Sequence, residues 1–111
     1  GVTRDVIASL DLAGEDRIDL PGTVSVIRAQ VNGGALSTAS FNADLAAVLN
    51  AAALPAGRAV LFDPNAGDLD QPGMVYLIVD ANGVAGYQAN ADWVFQLENC
   101  NTAFLDPTDF L

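Results

Sequence analysis

Apolar and charged residues alternate through Asp16-Arg17-Ile18-Asp19-Leu20, the period of a strand with one face in a core, and Pro21-Gly22 ends the run. Residues 2 to 31 as a whole read as short strands joined by acidic turns, with Gly14 bending Asp11-Leu12-Ala13-Gly14-Glu15-Asp16. Thr23 to Val31 is β-branched and mostly apolar, which predicts a second strand stopping at Asn32-Gly33-Gly34. The period then changes. Phe41, Leu45, Val48, Leu49 and Ala52 fall on one stripe of a helix, with Ser40 as N-cap and Asp44 in the first turn, and Leu54-Pro55-Ala56-Gly57 stops it.

Beyond Arg58 the pattern is again that of strands. Ala59-Val60-Leu61-Phe62 and Met74-Val75-Tyr76-Leu77-Ile78-Val79 are continuous apolar runs that end on aspartate, and Trp93-Val94-Phe95-Gln96-Leu97 is a further strand. The aromatics Phe62, Tyr76, Trp93 and Phe95 read as core residues before they read as a ligand platform. Together the elements predict an α+β fold: a mostly antiparallel sheet or small sandwich, with one helix near residues 41-53 packed on it. The 111 residues make a single domain, 1-111.

Composition narrows the chemistry. Half of the residues are apolar and 16% are charged, the balance of a packed body. Fourteen acids face four arginines and no lysine, for a net charge of −10. Arg4, Arg17, Arg28 and Arg58 are dispersed, so neither nucleic acid nor an anionic membrane surface is an expected partner. The chain has no histidine, which removes the commonest general base and most zinc sites, and its one cysteine, Cys100, has no internal partner. No enzyme is expected. No stretch is long and apolar enough for a membrane span, and no basic-then-apolar leader opens the chain, so any export address is expected elsewhere.

Twelve of the acids are Asp, the residue of turns and of oxygen-ligand loops, which makes Ca2+ the first cofactor to consider. In Asp80-Ala81-Asn82-Gly83-Val84-Ala85-Gly86 the spacing sets Asp80 and Asn82 on one side of an extended chain while two glycines allow carbonyls to turn inward. Asp92, at the start of the next strand, closes the set. The loop is not an EF-hand, because Val84 occupies the fifth position and no Glu the twelfth. The same residues also read as a hairpin turn whose side chains bond to backbone amides. Asp63, Asn65, Asp68 and Asp70 have two readings as well: a second calcium loop, or a solvated loop shaped by Pro64 and Pro72. Asp11, Glu15, Asp16 and Asp19 make a weaker case, with Arg17 as neutralising partner.

The last third of the chain resembles the C-terminal end of RTX-type proteins exported by bacterial type I secretion, including the tails of serralysin-like proteases and of large surface proteins. The resemblance lies in Val79, Asp80, Asn82, Gly83, Gly86, Ala91-Asp92, the strand Trp93 to Leu97, and the final Asp109-Phe110-Leu111. Arg4-Asp5-Val6-Ile7 with Gly14-Glu15-Asp16-Arg17-Ile18-Asp19-Leu20 is similar to the family's entry into the same module. The tandem GGxGxDxUx repeats of the family are absent, so the resemblance implies the module that follows the calcium roll. Val84-Ala85-Gly86 stands where the family carries a further acidic residue.

The resemblance implies a non-enzymatic, calcium-stabilised C-terminal module of a type I secreted protein. It would be extracellular or at the cell surface, and would meet the type I secretion machinery through an uncleaved signal ending in Asp109-Phe110-Leu111. An acidic chain suits that route, because its carboxylates repel in the low-calcium cytosol and are held together outside it. The alternative is a structural self-assembly or adhesion subunit, a homo-oligomer built through exposed strand edges.

Overall fold

A computed structural model describes residues 5–8, 26–88 and 91–98; the expected strand at 16–20, the acids at 11–19, Cys100 and the terminus at 106–111 lie outside the described residues. The elements are β1 (Asp5–Ala8), β2 (Ile27–Asn32), a 3-10 turn (Thr38–Ser40), α1 (Phe41–Val48), β3 (Ala59–Asp63), β4 (Met74–Val79) and β5 (Trp93–Glu98). The five strands form one sheet in the order β1-β5-β4-β3-β2.

The α+β class holds, and the sheet is mixed. Its centre is antiparallel, β3 against β4 and β4 against β5, but β2 runs parallel to β3 and β1 parallel to β5. The parallel pair at β2 follows from α1. A helix inserted between two neighbouring strands of one sheet carries the chain back to the starting end, so the second strand must run the same way as the first. The described strands lie in this one sheet, with no second sheet to make a sandwich.

The continuous apolar runs of β3 and β4 are strands buried on both faces. Val60, Phe62, Tyr76, Ile78 and Val94 point to one side, where they meet Leu36, Phe41, Leu45, Leu49, Leu54, Leu69 and Tyr87 from α1 and the loops. Their neighbours Ala59, Leu61, Leu77, Val79, Phe95 and Leu97 form a second buried cluster on the other side. Phe62, Tyr76 and Phe95 are thus core residues, and the Tyr76 hydroxyl donates to the Leu69 carbonyl at 3.1 Å.

The helix is shorter than the 41-53 stripe suggests. Leu49 N–H closes the last turn on Leu45 O at 2.7 Å; the Asn50 carboxamide then accepts Ala52 and Ala53 N–H at 3.1 and 3.0 Å and starts a separate turn. Carbonyls freed by this break are used at once: Leu49 O accepts Tyr87 N–H at 2.9 Å and Leu54 O accepts Gly86 N–H at 2.7 Å. Ser40 does sit at the N-cap, but its hydroxyl donates to Asp44 Oδ2, which also receives Ser37 N–H.

Leu45 is fully buried between α1 and the sheet. Leu45→Ala should cost about 2 to 5 kcal/mol in urea unfolding, the range for opening a cavity in a core that cannot collapse around it. A loss below about half a kcal/mol, the size of a surface change, would show that the helix stripe does not hold the sheet.

Candidate functional site

Asp80 directly follows β4 and Asp92 directly precedes β5. Val79 pairs with Trp93, so the antiparallel register sets the next residues outward, Asp80 and Asp92, opposite each other at the mouth of the hairpin. Both are more than nine-tenths buried, with 6% and 8% of their surface exposed. Asp80 Oδ2 accepts Gly57 N–H at 2.5 Å, and Asp80 N–H donates to Arg58 O at 2.9 Å, which ties the site to the turn before β3. Asp92 Oδ1 accepts Ala81 N–H at 3.1 Å and Oδ2 accepts Gln88 N–H at 2.8 Å, which folds the loop back on its own far end.

Burial pushes the Asp92 carboxyl above its ordinary value. The two backbone donors oppose that shift, while the neighbouring Asp80 carboxylate reinforces it by repulsion and by hydrogen bonding to the protonated form. The Tyr87 hydroxyl is pushed up too, first by burial and then by the negative charge of Asp92. Asp80 Oδ1 is buried and has no hydrogen-bond partner. Two carboxylates side by side out of water need a proton or a cation between them, and an orphaned oxygen is where either would go. Carboxylate oxygens are the ligand type that hard cations take.

Asn82 does not join the pair. It is exposed, and its Oδ1 accepts Val84 N–H at 3.0 Å, so this part of the loop takes the hairpin-turn form. Among the described residues no three His, Cys, Asp or Glu side chains converge.

In the 63–70 loop the oxygens are put to another use. Asn65 Oδ1 accepts Gly34 N–H at 3.0 Å, while Asp68 takes Thr38 N–H on Oδ1 and the Thr38 hydroxyl on Oδ2, both at 2.8 Å. The Thr38 bonds, side chain first, hold the Asp68 carboxyl below its ordinary value. Leu36 N–H to Ala66 O and Leu69 N–H to Leu36 O complete the seam between this loop and the segment before α1. Gly67 sits in it with φ +88°, where an added Cβ would lie 2.1 Å from Leu36 O. Asp63 and Asp70 border a depression of about 500 Å³ with Gln71, Pro72, Gly73, Met74 and Val75.

The spacing argument singled out Asp80 and Asp92, which the hairpin brings together, and passed over Gly57 and Gln88, whose backbone N–H groups hold them. Gln88 has one signal in the sequence, its place four residues before Asp92, whose N–H donates to Gln88 O at 3.1 Å. Gly57 has none, since its N–H reaches Asp80 only after β3 and β4 have paired.

Four expectations follow. Without calcium, Asp92 keeps its proton to higher pH in the folded chain than in the unfolded one, so its contribution favours folding at acid pH. That contribution is lost as pH climbs from the ordinary 3.8 through the raised value. Asp80→Asn places an N–H2 group where the orphaned oxygen stands, so in chelator it should melt above wild type at neutral pH, by a margin that shrinks on acidification. Asp68 works the other way: its lowered value gives stability above the ordinary 3.8 that fades as pH falls. Melting curves of wild type and Asp80→Asn across the acid range check these. Gly67→Ala should cost clearly more in urea unfolding than Gly57→Ala, because both have positive φ but only Gly67 meets backbone.

No protein-family model, curated protein or solved structure matches this chain.

Proposed function

We propose that the chain is a non-enzymatic, calcium-stabilised module at the C-terminal end of a type I secreted extracellular or surface protein, where it serves export and folding. One observation carries the calcium part of this reading: Asp80 Oδ1 is buried without a partner, beside the buried carboxyl of Asp92. A net charge of −10 adds support, since a divalent cation relieves repulsion that the four arginines leave uncancelled. The motifs from Val79 to Leu97 and the final Asp109-Phe110-Leu111 support the secretion part through their likeness to RTX-type tails. Among the described residues, no helix is long and apolar enough to cross a membrane.

The self-assembly alternative draws less support. β2, outermost among the described strands on its side, carries exposed Arg28, Gln30 and Asn32, and its pairing register shifts between Arg28 and Val31. Charge and irregularity of this kind discourage strand addition at an edge.

Calorimetry with calcium and with chelator tests the reading. Wild type should melt higher in calcium, by about 2.7 kcal/mol of added stability when the ion is at 100 times its Kd. Asp80→Ala should lose that response, and a wild type indifferent to calcium overturns the calcium claim. Deleting residues 106–111 from the native precursor should stop export from cells carrying a type I exporter; undiminished export removes the secretion claim. Light scattering in both media should give a monomer, and a calcium-dependent increase in size would favour assembly instead.

A further inference from the structure

The chain contains two Asn-Gly steps, Asn32-Gly33 and Asn82-Gly83. Such a step is chemically weak, because glycine has no side chain to shield its backbone nitrogen from the carboxamide carbon of the residue before it. At the first step that nitrogen is occupied. Asn32 ends β2 opposite Asp63, Gly33 N–H donates to Asp63 O at 3.0 Å, and Asn32 Oδ1 takes a bond from Gln30 Nε2 at 2.7 Å. The second step lies in the loop between β4 and β5, outside any ladder. Asn82 and Gly83 are both exposed, Gly83 N–H bonds to none of the described residues, and a Cβ built on Gly83 would meet nothing within 4 Å. Asn82 Oδ1 accepts Val84 N–H at 3.0 Å, which bends the carboxamide back over the peptide that follows it. The same N–H stands where negative charge builds on Oδ1 when a nucleophile adds to Cγ.

We infer that Asn82 is a modification site: in the folded chain it deamidates spontaneously to aspartate and isoaspartate, while the sheet protects Asn32. The Gly83 nitrogen gives up its proton to solvent, attacks Asn82 Cγ and closes a cyclic succinimide. The Cγ–Nδ2 bond breaks, and the amide leaves as ammonia after taking a proton back from solvent. Water then opens the ring at either carbonyl. Cleavage at Cγ gives aspartate, and cleavage at the backbone carbonyl gives isoaspartate. One water is consumed and one ammonia released, with nothing oxidised or reduced. Either product adds one negative charge to the net −10 and places it two residues from Asp80, at the hairpin that already holds Asp80 and Asp92. Isoaspartate also adds a methylene to the main chain and draws the Cγ oxygen that now holds Val84 N–H into the backbone, so the turn is rebuilt. None of this depends on a bound cation.

The test is to incubate the full chain at mildly alkaline pH, folded and in urea, and to follow the peptides spanning each step by mass spectrometry. Isoaspartate is scored by enzymatic methylation of its carboxylate. In urea both steps convert and set the intrinsic rates. In the folded chain Asn82 should convert at least roughly tenfold faster than Asn32, the suppression that an opening cost of about 1.4 kcal/mol gives a protected site. A smaller ratio overturns the inference, as does an Asn82 that stays an amide in the folded chain while it converts in urea. Gly83→Ala, whose Cβ meets open space, should slow the conversion of Asn82 by crowding the attacking nitrogen. An undiminished rate in that variant overturns the attack by Gly83. If Gly83→Ala does not fold, the comparison of the two steps in wild type decides alone.

Discussion

Strand β4 presents apolar side chains on both faces, and neither face can be left in water. Its position in the middle of the sheet is the consequence: β3 and β5 flank it, and separate clusters form above and below. On one side the cover is α1 with the loops that carry Leu36, Leu54, Leu69 and Tyr87. Those loops have little regular structure of their own, so they must be fixed over the core by other means.

The aspartates and asparagines supply those means. Asp44 holds Ser37 and Ser40 ahead of α1, Asn50 organises the turn after it, and Asn65 and Asp68 fasten the segment 34–38. Asn82 closes its own turn, and Asp92 holds Ala81 and Gln88. In each case a short side-chain oxygen satisfies backbone N–H groups that no helix or strand supplies with an acceptor. Among the described aspartates, Asp44, Asp68 and Asp92 act as fasteners of local backbone. The pair at Asp80 and Asp92 differs because it leaves a buried oxygen over.

How far the sequence discloses this differs by element. β4 occupies the predicted 74–79, and β3 and β5 each extend one residue past the predicted runs, because uninterrupted apolar segments bounded by Asp and Gly leave little choice. The helix start at Phe41 was legible from its stripe, while its end at Val48 depended on Asn50 and on the docking of Gly86 and Tyr87, a contact between distant segments. Periodicity reports which face of a strand is apolar and is silent on direction, so the parallel pairs were missed, although a helix between two strands already carried the hint. Asp80 and Asp92 were legible as the two ends of one loop. Whether an oxygen such as that of Asn65 or Asp68 faces an amide or stays free depends on which backbone lies across from it, here a strand end and turn some thirty residues earlier.

The pairing of β1 with β5 bears on the order of assembly. Asp5 lies opposite Phe95, so the first described strand finds its neighbour only in the last. A chain made from its N-terminus has β2, α1, β3 and β4 available while β1 still lacks a sheet edge to join. Joining β1 closes a loop of nearly the whole chain, and contacts this far apart in sequence are characteristic of slow folding. Among the described strands, the topology therefore leaves β1 without its partner until synthesis has passed residue 98, and ties completion of the sheet to that point.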